Sequence, residues 1–187
     1  MSETRDRRRR TDLDLFVLAL IDSGISTPYD LQKMAGLSPG ATIPALQRLL
    51  DAGCVRQGKP GPRGRTDHKI TATGKKLLNA GWRTLLEDGP SGDLDADLRV
   101  ALVALWAGGE RRLAIEFLRE SAHKKTDAIE SIEEDDSSDA SAPLARWYRT
   151  LRSAAAKALL KGESQAALAM AESLPRSLPK KRKQSDH

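Results

Sequence analysis

Basic side chains are the residues of this chain best suited to bind a charged ligand. From Arg56 to Lys69, five Lys and Arg residues face a single acid, Asp67. Residues 1–10 hold five arginines against two acids, and residues 175–187 hold five basic residues against one acid. Basic clusters attract polyanions because each neutralised phosphate releases bound counterions. The charge pattern therefore predicts nucleic-acid binding; the alternative is that the basic ends only aid solubility.

Residue types that catalyse reactions or hold metals are too few and too scattered to form a recognisable site. His68, His123 and His187 lie far apart in the sequence, and Cys54 is the single cysteine. The glycines around Lys59 lack the strand-to-helix context of a phosphate-binding loop. We therefore expect no enzyme, no metal site and no cofactor. We expect Cys54 to be a small buried side chain rather than a thiol sensor.

The composition indicates a helical protein of the reducing cytoplasm. Hydrophobic residues make up 39% of the chain and aromatic residues 4%, so the core must consist mainly of Leu, Ala, Val and Ile. Such a composition favours helices. One cysteine excludes an internal disulfide, and no apolar run reaches the roughly 18 residues of a membrane span. We expect a cytoplasmic protein with no membrane partner.

The spacing of apolar and helix-capping residues predicts four helices and a hairpin in the first half. Ser, Thr or Asp stands at each predicted helix start, and glycine follows most predicted ends. The Gly- and Pro-rich stretch 58–64 separates two short strands, which predicts a β-hairpin with a basic tip. The expected helices run from Thr11 or Asp12 to Ser23, from Pro28 to Gly36, from Pro39 to Gly53, and from about Gly74, capped by Thr73, to Glu87.

Helical periodicity continues through the second half, after a loop at residues 88–92 that predicts a domain boundary. Helices are expected from residue 93 to about Trp106, from Glu110 and from Pro143, with an acidic loop at residues 133–141. Apolar residues of the last two helices alternate by three and four, the spacing of a helix–helix seam, with one fault at Lys125. The expected dimerisation residues are Ile115, Leu118, Ala122, Ile129, Ile132, Leu144, Tyr148, Leu151 and Ala155.

Two segments of the first half, SPGATIPALQRL at residues 38–49 and KITATGKKLL at residues 69–78, resemble the PadR family of bacterial transcriptional regulators. The resemblance covers about residues 13–80 and implies a winged helix-turn-helix, in which the first segment forms the recognition helix. Ile43 stands where the family usually has Tyr, and Pro28-Tyr29 stands where it commonly has Gly-Tyr. Members of the family commonly repress transcription, and some respond to small molecules such as phenolic compounds.

The expected DNA contacts lie on the third helix and on the hairpin. A helix N-terminus offers N–H groups to a phosphate or base edge, and polar positions along the helix can enter the major groove. Hairpin arginines can reach the minor groove or its phosphates. The alternative for the helix residues is an ordinary solvated face. The expected DNA-binding residues are Ser38, Gly40 and Ala41 at the helix start, Thr42, Gln47 and Arg48 along it, and Arg56, Lys59, Arg63 and Arg65 on the hairpin.

The sequence thus predicts a mainly α protein with a small β-hairpin wing, in which a C-terminal helical dimerisation domain follows an N-terminal winged helix-turn-helix. The expected divisions are a basic disordered tail at residues 1–10, a DNA-binding domain at 11–88, a dimerisation domain at 93–173 and a basic disordered tail at 174–187. The expected function is sequence-specific regulation of transcription by a homodimer on double-stranded DNA, with repression implied by the resemblance.

A second hypothesis is a winged-helix module that binds another protein, rather than specific DNA, through the acidic C-terminal half. Ile43 in place of the family's Tyr favours this hypothesis, and the basic hairpin and tails argue against it. Trp82, Trp106 and Trp147 are candidates to line an effector pocket, although large aromatic side chains on helices more often belong to the core. No effector is assigned.

Overall fold

The computed structural model describes residues 2–60, 66–135 and 143–178 of the chain. Within this part the protein is mainly helical and contains a two-stranded antiparallel sheet, as the coarse fold prediction expects. The helices are α1 (Ser2–Ser23), α2 (Pro28–Ala35), α3 (Pro39–Asp51), α4 (Ala72–Glu87), α5 (Leu94–Val103), α6 (Arg111–Asp135) and α7 (Pro143–Ser173). The strands are β1 (Val55–Pro60) and β2 (Thr66–Ile70), and a π-helical turn, Ala104–Gly108, extends α5.

Helix α1 begins at Ser2 and not at the predicted capping residues Thr11 or Asp12. The prediction of a disordered tail over residues 1–10 is therefore wrong for residues 2–10, which are helical. Arg and Glu have high intrinsic helix propensity, and neither Gly nor Pro interrupts the chain before Gly24. Helix propensity accordingly outweighs the mutual repulsion of the arginines that favoured disorder.

The caps of α2 and α3 confirm the helix boundaries that the sequence predicts. The Thr27 hydroxyl accepts the Asp30 N–H at 3.0 Å, and Gly36 ends α2 in the left-handed region with φ of 68°. The Ser38 hydroxyl accepts the Ala41 N–H at 3.3 Å and begins α3. These two helices follow one another with a short turn between them, which exposes one side of α3.

The N-cap of α4 is Thr71, and the prediction of Thr73 is wrong. The Thr71 hydroxyl accepts the Gly74 N–H at 3.1 Å and donates to the Gly53 carbonyl at 2.7 Å. A Cβ at Gly74 would lie 2.1 Å from the Cys54 carbonyl oxygen. Close approach of the two backbones therefore fixes the start of α4 against the start of the hairpin.

The larger hydrophobic core joins the two halves of the chain. Buried side chains of α1, α3 and α4 form one cluster with buried side chains of α5, the π-helical turn and α6. Its members include Leu15, Val17, Leu18, Leu46, Leu49, Leu78, Trp82, Val100, Val103 and Phe117. The predicted boundary at residues 88–92 thus connects two segments that share a core, and the division into domains stays a prediction.

Helices α6 and α7 pack against each other in antiparallel directions. The Ser164 hydroxyl of α7 donates to the Ala122 carbonyl of α6 at 3.1 Å. At the other end, the Arg111 guanidinium donates to the Leu174 carbonyl at 3.0 Å. Leu174 is buried in a second, smaller core between α5, α6 and α7. The prediction of a disordered tail from residue 174 is therefore wrong for residues 174–178, and residues 179–187 lie outside the described residues.

The end of α6 also differs from the prediction, because the helix continues to Asp135 and includes the start of the expected acidic loop. The remainder of that loop, residues 136–142, lies outside the described residues. Among the helices of the described ranges, none combines the length and the apolar character needed to cross a membrane.

Candidate nucleic-acid interface

The two-stranded sheet places two basic side chains opposite each other on its solvent side. Arg56 of β1 pairs with Lys69 of β2, next to the pair Val55–Ile70. Val55 is buried, whereas Arg56 and Lys69 are exposed, as the alternation of side chains along a strand requires. Like charges directly opposite each other destabilise a sheet. A bound anion would relieve this repulsion, so the pair is suited to contact a phosphate.

Lys69 was missed as a DNA-binding residue by the sequence analysis, although it closes the same basic segment as Arg56. The signal that identifies it is the strand register, because only the pairing of Arg56 with Lys69 puts both charges on one face. Charge counting along the chain gives no register, since the length of the connecting loop leaves several pairings open.

The remaining basic residues around the hairpin have different outcomes. Lys59 lies in β1, but its side chain lies outside the described part of the chain, and Arg63 and Arg65 lie outside the described residues. Their predicted contacts with DNA stay predictions. Lys75 and Lys76 are exposed in the first turns of α4, directly after the hairpin, and were not predicted. They add two exposed basic side chains close in sequence to the hairpin.

The start of α3 is exposed at two of its three predicted contact residues. Ser38 and Gly40 are exposed, and a Cβ at Gly40 would have nothing within 4 Å. Ala41 is half-buried, and its N–H donates to the Ser38 hydroxyl at 3.3 Å. The N–H of Ala41 is therefore already used within the chain, and the predicted close approach of this small residue to DNA stays a prediction.

Thr42 is also wrongly predicted, because its side chain faces the protein interior. It is 1% exposed, and its hydroxyl donates to the Ser38 carbonyl at 2.9 Å. A threonine in a helix commonly satisfies its hydroxyl in this way, through the carbonyl one turn earlier. The polar character of Thr42 is thus neutralised locally, and its methyl group packs in the core.

Arg48 binds another helix instead of facing a groove. Its Nε donates to Asp14 Oδ2 at 3.0 Å and its second nitrogen donates to Asp14 Oδ1 at 2.6 Å. These hydrogen bonds raise the pKa of Arg48 further above its already high ordinary value. The planar guanidinium matches a carboxylate at two points, so Arg48 fastens α3 to α1. The prediction that it enters the major groove is wrong.

The exposed side of α3 therefore carries no basic side chain and one acid, Asp51. Gln47 is exposed, and its side-chain nitrogen donates to Asp51 at 2.8 Å. Ile43 is 59% exposed on the same side. The amide of Gln47 can form paired hydrogen bonds with adenine, and an apolar side chain such as Ile43 can contact a thymine methyl group. Gln47 stays a candidate to contact bases. To do so, its amide must give up the hydrogen bond to Asp51.

The predicted dimerisation seam of α6 is used inside the chain. Leu118 is fully buried in the smaller core, and Ala122 is 3% exposed, with its carbonyl accepting from Ser164 of α7. Their prediction as contacts to a second copy is therefore wrong. Ile115, Ile129 and Ile132 are half-buried, which leaves little of this face for a partner. The heptad spacing is real, but α7 and α5 occupy the seam.

The seam of α7 is exposed to solvent. Leu144 is 82% exposed, and Tyr148 and Leu151 are each 64% exposed. Ala155 is also exposed. At about 100° per residue these positions share one side of the helix, opposite the side that contacts α6. Trp147, Leu159 and Gly162 border the same stripe and were not predicted.

An acid-lined cavity of about 570 Å³ lies where α1, the loop before α5, the start of α5 and α7 meet. Five carboxylates line it: Asp12, Asp93, Asp95, Asp97 and Glu163. Asp97 is buried and accepts hydrogen bonds from the Ser91 N–H at 2.7 Å and the Ser121 hydroxyl at 2.6 Å. Asp93 caps α5 by accepting the Asp95 and Ala96 N–H groups.

Two basic residues pair with carboxylates that line this cavity. Arg99 donates to Asp12 at 2.9 Å and also pairs with Asp95. Lys125, the fault in the α6 seam, is 3% exposed and donates to Glu163 at 2.7 Å and to the Gly92 carbonyl at 3.0 Å. The fault in the heptad pattern is therefore explained by an ion pair between α6 and α7.

Cys54 and His68 have structural environments. Cys54 is 3% exposed, which confirms the prediction of a small buried side chain, and burial raises the pKa of its thiol. The backbone N–H of His68 donates to the Ser26 carbonyl at 2.7 Å, and the side chain of His68 is buried. Among the described residues, no group of three or more His, Cys, Asp or Glu is placed to hold a metal ion.

The three tryptophans lie in three different environments. Trp82 belongs to the core, Trp106 donates from its indole nitrogen to Asp22 at 3.1 Å, and Trp147 is 62% exposed on α7.

Comparison with known proteins does not assign a function to these residues. Family models, curated proteins and solved structures all lack a match to this chain.

Proposed function

We propose that this protein is a winged helix-turn-helix regulator that binds double-stranded DNA as a homodimer. Helices α2 and α3 form the helix-turn-helix, and the sheet of β1 and β2 forms the wing. The order of these elements and the resemblance of residues 38–49 and 69–78 to PadR regulators support the assignment. Repression of transcription is the direction that the resemblance implies.

The observation that carries the proposal is the exposed pair of Arg56 and Lys69. Among the described residues neither side chain forms an ion pair, although the exposed acid Asp67 lies two residues before Lys69 on the same face. The repulsion of the opposed charges weakens a sheet that has only two strands. A phosphate between them supplies the missing negative charge. Lys75 and Lys76 add two exposed basic side chains at the start of α4, directly after the wing in the sequence.

Base contacts in this arrangement come from the exposed side of α3. The exposed positions Ser38 and Gly40 let the backbone approach a groove without bulk. Ile43 and Gln47 then present an apolar and an amide contact to base edges. The weak charge of this helix means that affinity comes mainly from the wing, whose basic residues contact phosphates.

Dimerisation through α7 completes the proposal. A stripe of Leu144, Tyr148, Leu151 and Ala155 on the solvent side of a 31-residue helix costs free energy while exposed to water. The small residue Gly162 continues the stripe and permits close approach of a second helix. Two copies of the wing then address two half-sites about one helical turn apart.

The test is a binding titration of the full chain with the DNA upstream of its own gene, in the presence of excess competitor DNA. We expect a complex that resists competitor, and a double variant Arg56→Ala/Lys69→Ala that binds more weakly. The slope of log K against log salt should fall by about 1 in magnitude, the value for the one phosphate that the pair neutralises.

A matched control is Arg112→Ala/Lys161→Ala, which removes two exposed charges from α6 and α7 and leaves the wing intact. We expect its salt slope to equal that of the original chain. Removing the repelling pair Arg56 and Lys69 should leave folding intact, which an unfolding curve checks. A complex abolished by competitor, or an equal loss of slope in the control, would overturn the proposal.

The exposed apolar residues of α2 and α3 favour a second candidate, a module that binds another protein. Tyr29 is 50% exposed, Met34 is 69% exposed and Ile43 is 59% exposed. A partner bound through apolar faces would dissociate little with added salt, unlike DNA. The titration against salt therefore separates the two candidates.

A further inference from the structure

The exposed stripe of α7 changes in side-chain size along the helix. The four residues of its first half are large and 62–82% exposed: Leu144, Trp147, Tyr148 and Leu151. The second half consists of exposed small residues beside one large residue: Ala155, Ala158, Leu159 and Gly162. A surface that is large at one end and small at the other is complementary in size to a reversed copy of itself.

Helix geometry gives each of these residues a place across the stripe. Leu144 and Gly162 are about five turns apart and therefore lie on one line, the centre of the stripe. The other residues follow at about 100° per position: Leu151 and Ala155 close to the centre, Tyr148 and Leu159 on one edge, and Trp147 and Ala158 on the opposite edge. Each edge thus has its large residue or residues in reach of the other half of the stripe.

An antiparallel pair of α7 helices brings each edge against the same edge of the second copy, running in reverse. With the two-fold axis beside residue 153, large side chains would meet small ones along the helix. Leu144 would lie against Gly162 of the second copy, and Trp147 against Ala158. A parallel pair would instead set Trp147 against its own copy and Gly162 against its own copy. One end would then be crowded and the other loosely packed, which costs stability at both.

The exposed area of the stripe approaches what a second copy needs. Its five large residues, with Leu159 included, are 62–82% exposed. At roughly 150–250 Å² for a side chain of this size, they offer on the order of 700 Å² per copy. A stable interface buries roughly 800 Å² per partner. Arg152 and Lys161 lie on the flanks, about 80–100° from the centre line, where their charges stay in water.

We propose that two copies of this chain pair through α7 in antiparallel orientation, with Leu151 of each copy against Ala155 of the other. This arrangement rests on the proposed homodimer but not on the binding of DNA. It sets the bodies of the two copies at opposite ends of the paired helices. The two copies of Ala167, a fully buried residue of α7, lie about 42 Å apart along the axis. That separation is comparable with the roughly 34–36 Å between half-sites one helical turn apart.

The experiment is disulfide trapping of full-length single-cysteine variants, Leu144→Cys and Gly162→Cys, under mild oxidation. In the antiparallel pair the two copies of residue 144 are about 27 Å apart, too far for a disulfide, whereas residue 144 meets residue 162. We expect a covalent dimer when the two variants are mixed, and at least about tenfold less with either variant alone. The original chain should give none, because Cys54 is buried.

The matched control is Leu168→Cys mixed with Leu144→Cys, since Leu168 is an exposed leucine of the same helix outside the stripe. We expect no covalent dimer from this mixture. Sedimentation of each variant checks that it still dimerises, and Tyr148→Cys mixed with Leu159→Cys is a second pair for the same test. Covalent dimer from Leu144→Cys alone would establish a parallel pair and overturn the antiparallel one, with the homodimer intact. A monomeric original chain without cross-links would assign the stripe to another partner and overturn both.

Discussion

At the scale of single residues, the ion pair of Arg48 and Asp14 holds α3 against α1. Two guanidinium nitrogens of Arg48 donate hydrogen bonds to the Asp14 carboxylate, at 3.0 and 2.6 Å. The Arg48 guanidinium is thus bound to Asp14 and does not face the side where DNA contact was predicted. Its contribution belongs to stability and to the orientation of α3.

We predict that Arg48→Ala and Asp14→Ala each lower the free energy of unfolding by about 1 kcal/mol, and that the double variant loses little more than either. The pair is partly exposed, with 38% of the Arg48 side chain accessible, so the effect is modest. Urea unfolding of the four proteins measures the coupling. The more exposed pair Arg112–Glu116, 3.8 Å apart, is the control and should show almost none. Fully additive losses at Arg48 and Asp14 would contradict the assignment.

Asp12 gives a second prediction at this scale, on pH. Burial raises the pKa of Asp12 above its ordinary value of 3.8, against the opposing effect of Arg99. The folded state then binds this proton more tightly than the unfolded chain does. The stability contributed by the group is therefore greatest at low pH and is lost as pH rises from about 3.8 through the raised pKa.

Asp12→Asn removes this titration. We expect the stability of the variant relative to the original chain to improve as pH rises through that window, by about 1.4 kcal/mol for each unit of pKa shift. The ion pair to Arg99 forms only with the ionised carboxylate, so its effect is already contained in the net rise of the pKa. Urea unfolding from pH 4 upward measures both proteins. A difference that stays constant, or that changes in the opposite direction, would show that burial does not control this carboxyl group.

At the scale of elements, the junction of hairpin and α4 rests on a glycine. Gly74 brings α4 so close to the chain before β1 that a Cβ would lie 2.1 Å from the Cys54 carbonyl oxygen and 2.9 Å from the Ile70 side chain. Neither backbone can move without displacing the Thr71 cap. The wing therefore depends on this contact for its position relative to α4.

We predict that Gly74→Ala lowers the free energy of unfolding by at least about 2 kcal/mol, because the new methyl group overlaps fixed backbone. Gly40→Ala is the matched control: it makes the same substitution near a helix start, where a Cβ meets nothing within 4 Å. It should be neutral or stabilising by up to about 1 kcal/mol. Thermal or urea unfolding separates the two, and equal effects would refute the close approach.

At the scale of the whole molecule, the exposed apolar stripe of α7 bears on whether the chain is a monomer or a dimer. Its inner side packs on α6, and its outer side carries Leu144, Tyr148 and Leu151 into solvent. No described element covers that stripe. A second copy of α7 would bury it, since identical stripes are complementary about a two-fold axis.

We predict that the chain sediments as a dimer at micromolar concentration and that Leu151→Asp shifts it to monomer, because the charge would be buried at the interface. Leu168→Asp is the control: Leu168 is an exposed leucine of the same helix, 44% accessible, about 100° around the axis from Leu151. It should leave the dimer intact. Analytical ultracentrifugation of the three proteins is the measurement, and a monomeric original chain would exclude this interface.

The local features of this protein follow from its sequence. The caps Thr27 and Ser38, the glycine that ends α2 and the burial of Cys54 follow from side-chain chemistry within a few residues. Local hydrogen bonds and backbone preferences suffice for these features, and the aliphatic composition suffices for the mainly helical class. The heptad spacing of α6 and α7 likewise predicts helices that pack against a partner.

Which partner each side chain takes depends on tertiary contacts. Periodicity cannot tell whether the seam of α6 meets a second copy or another helix of the same chain, and here Leu118 and Ala122 pack inside. The sequence of a helix does not show whether a polar residue on it contacts DNA or a carboxylate far away along the chain. Arg48 contacts such a carboxylate, that of Asp14. The pairing of Arg56 with Lys69 depends on strand register, and the acid-lined cavity on the meeting of α1, α5 and α7. These contacts join residues far apart in sequence, so no local pattern encodes them.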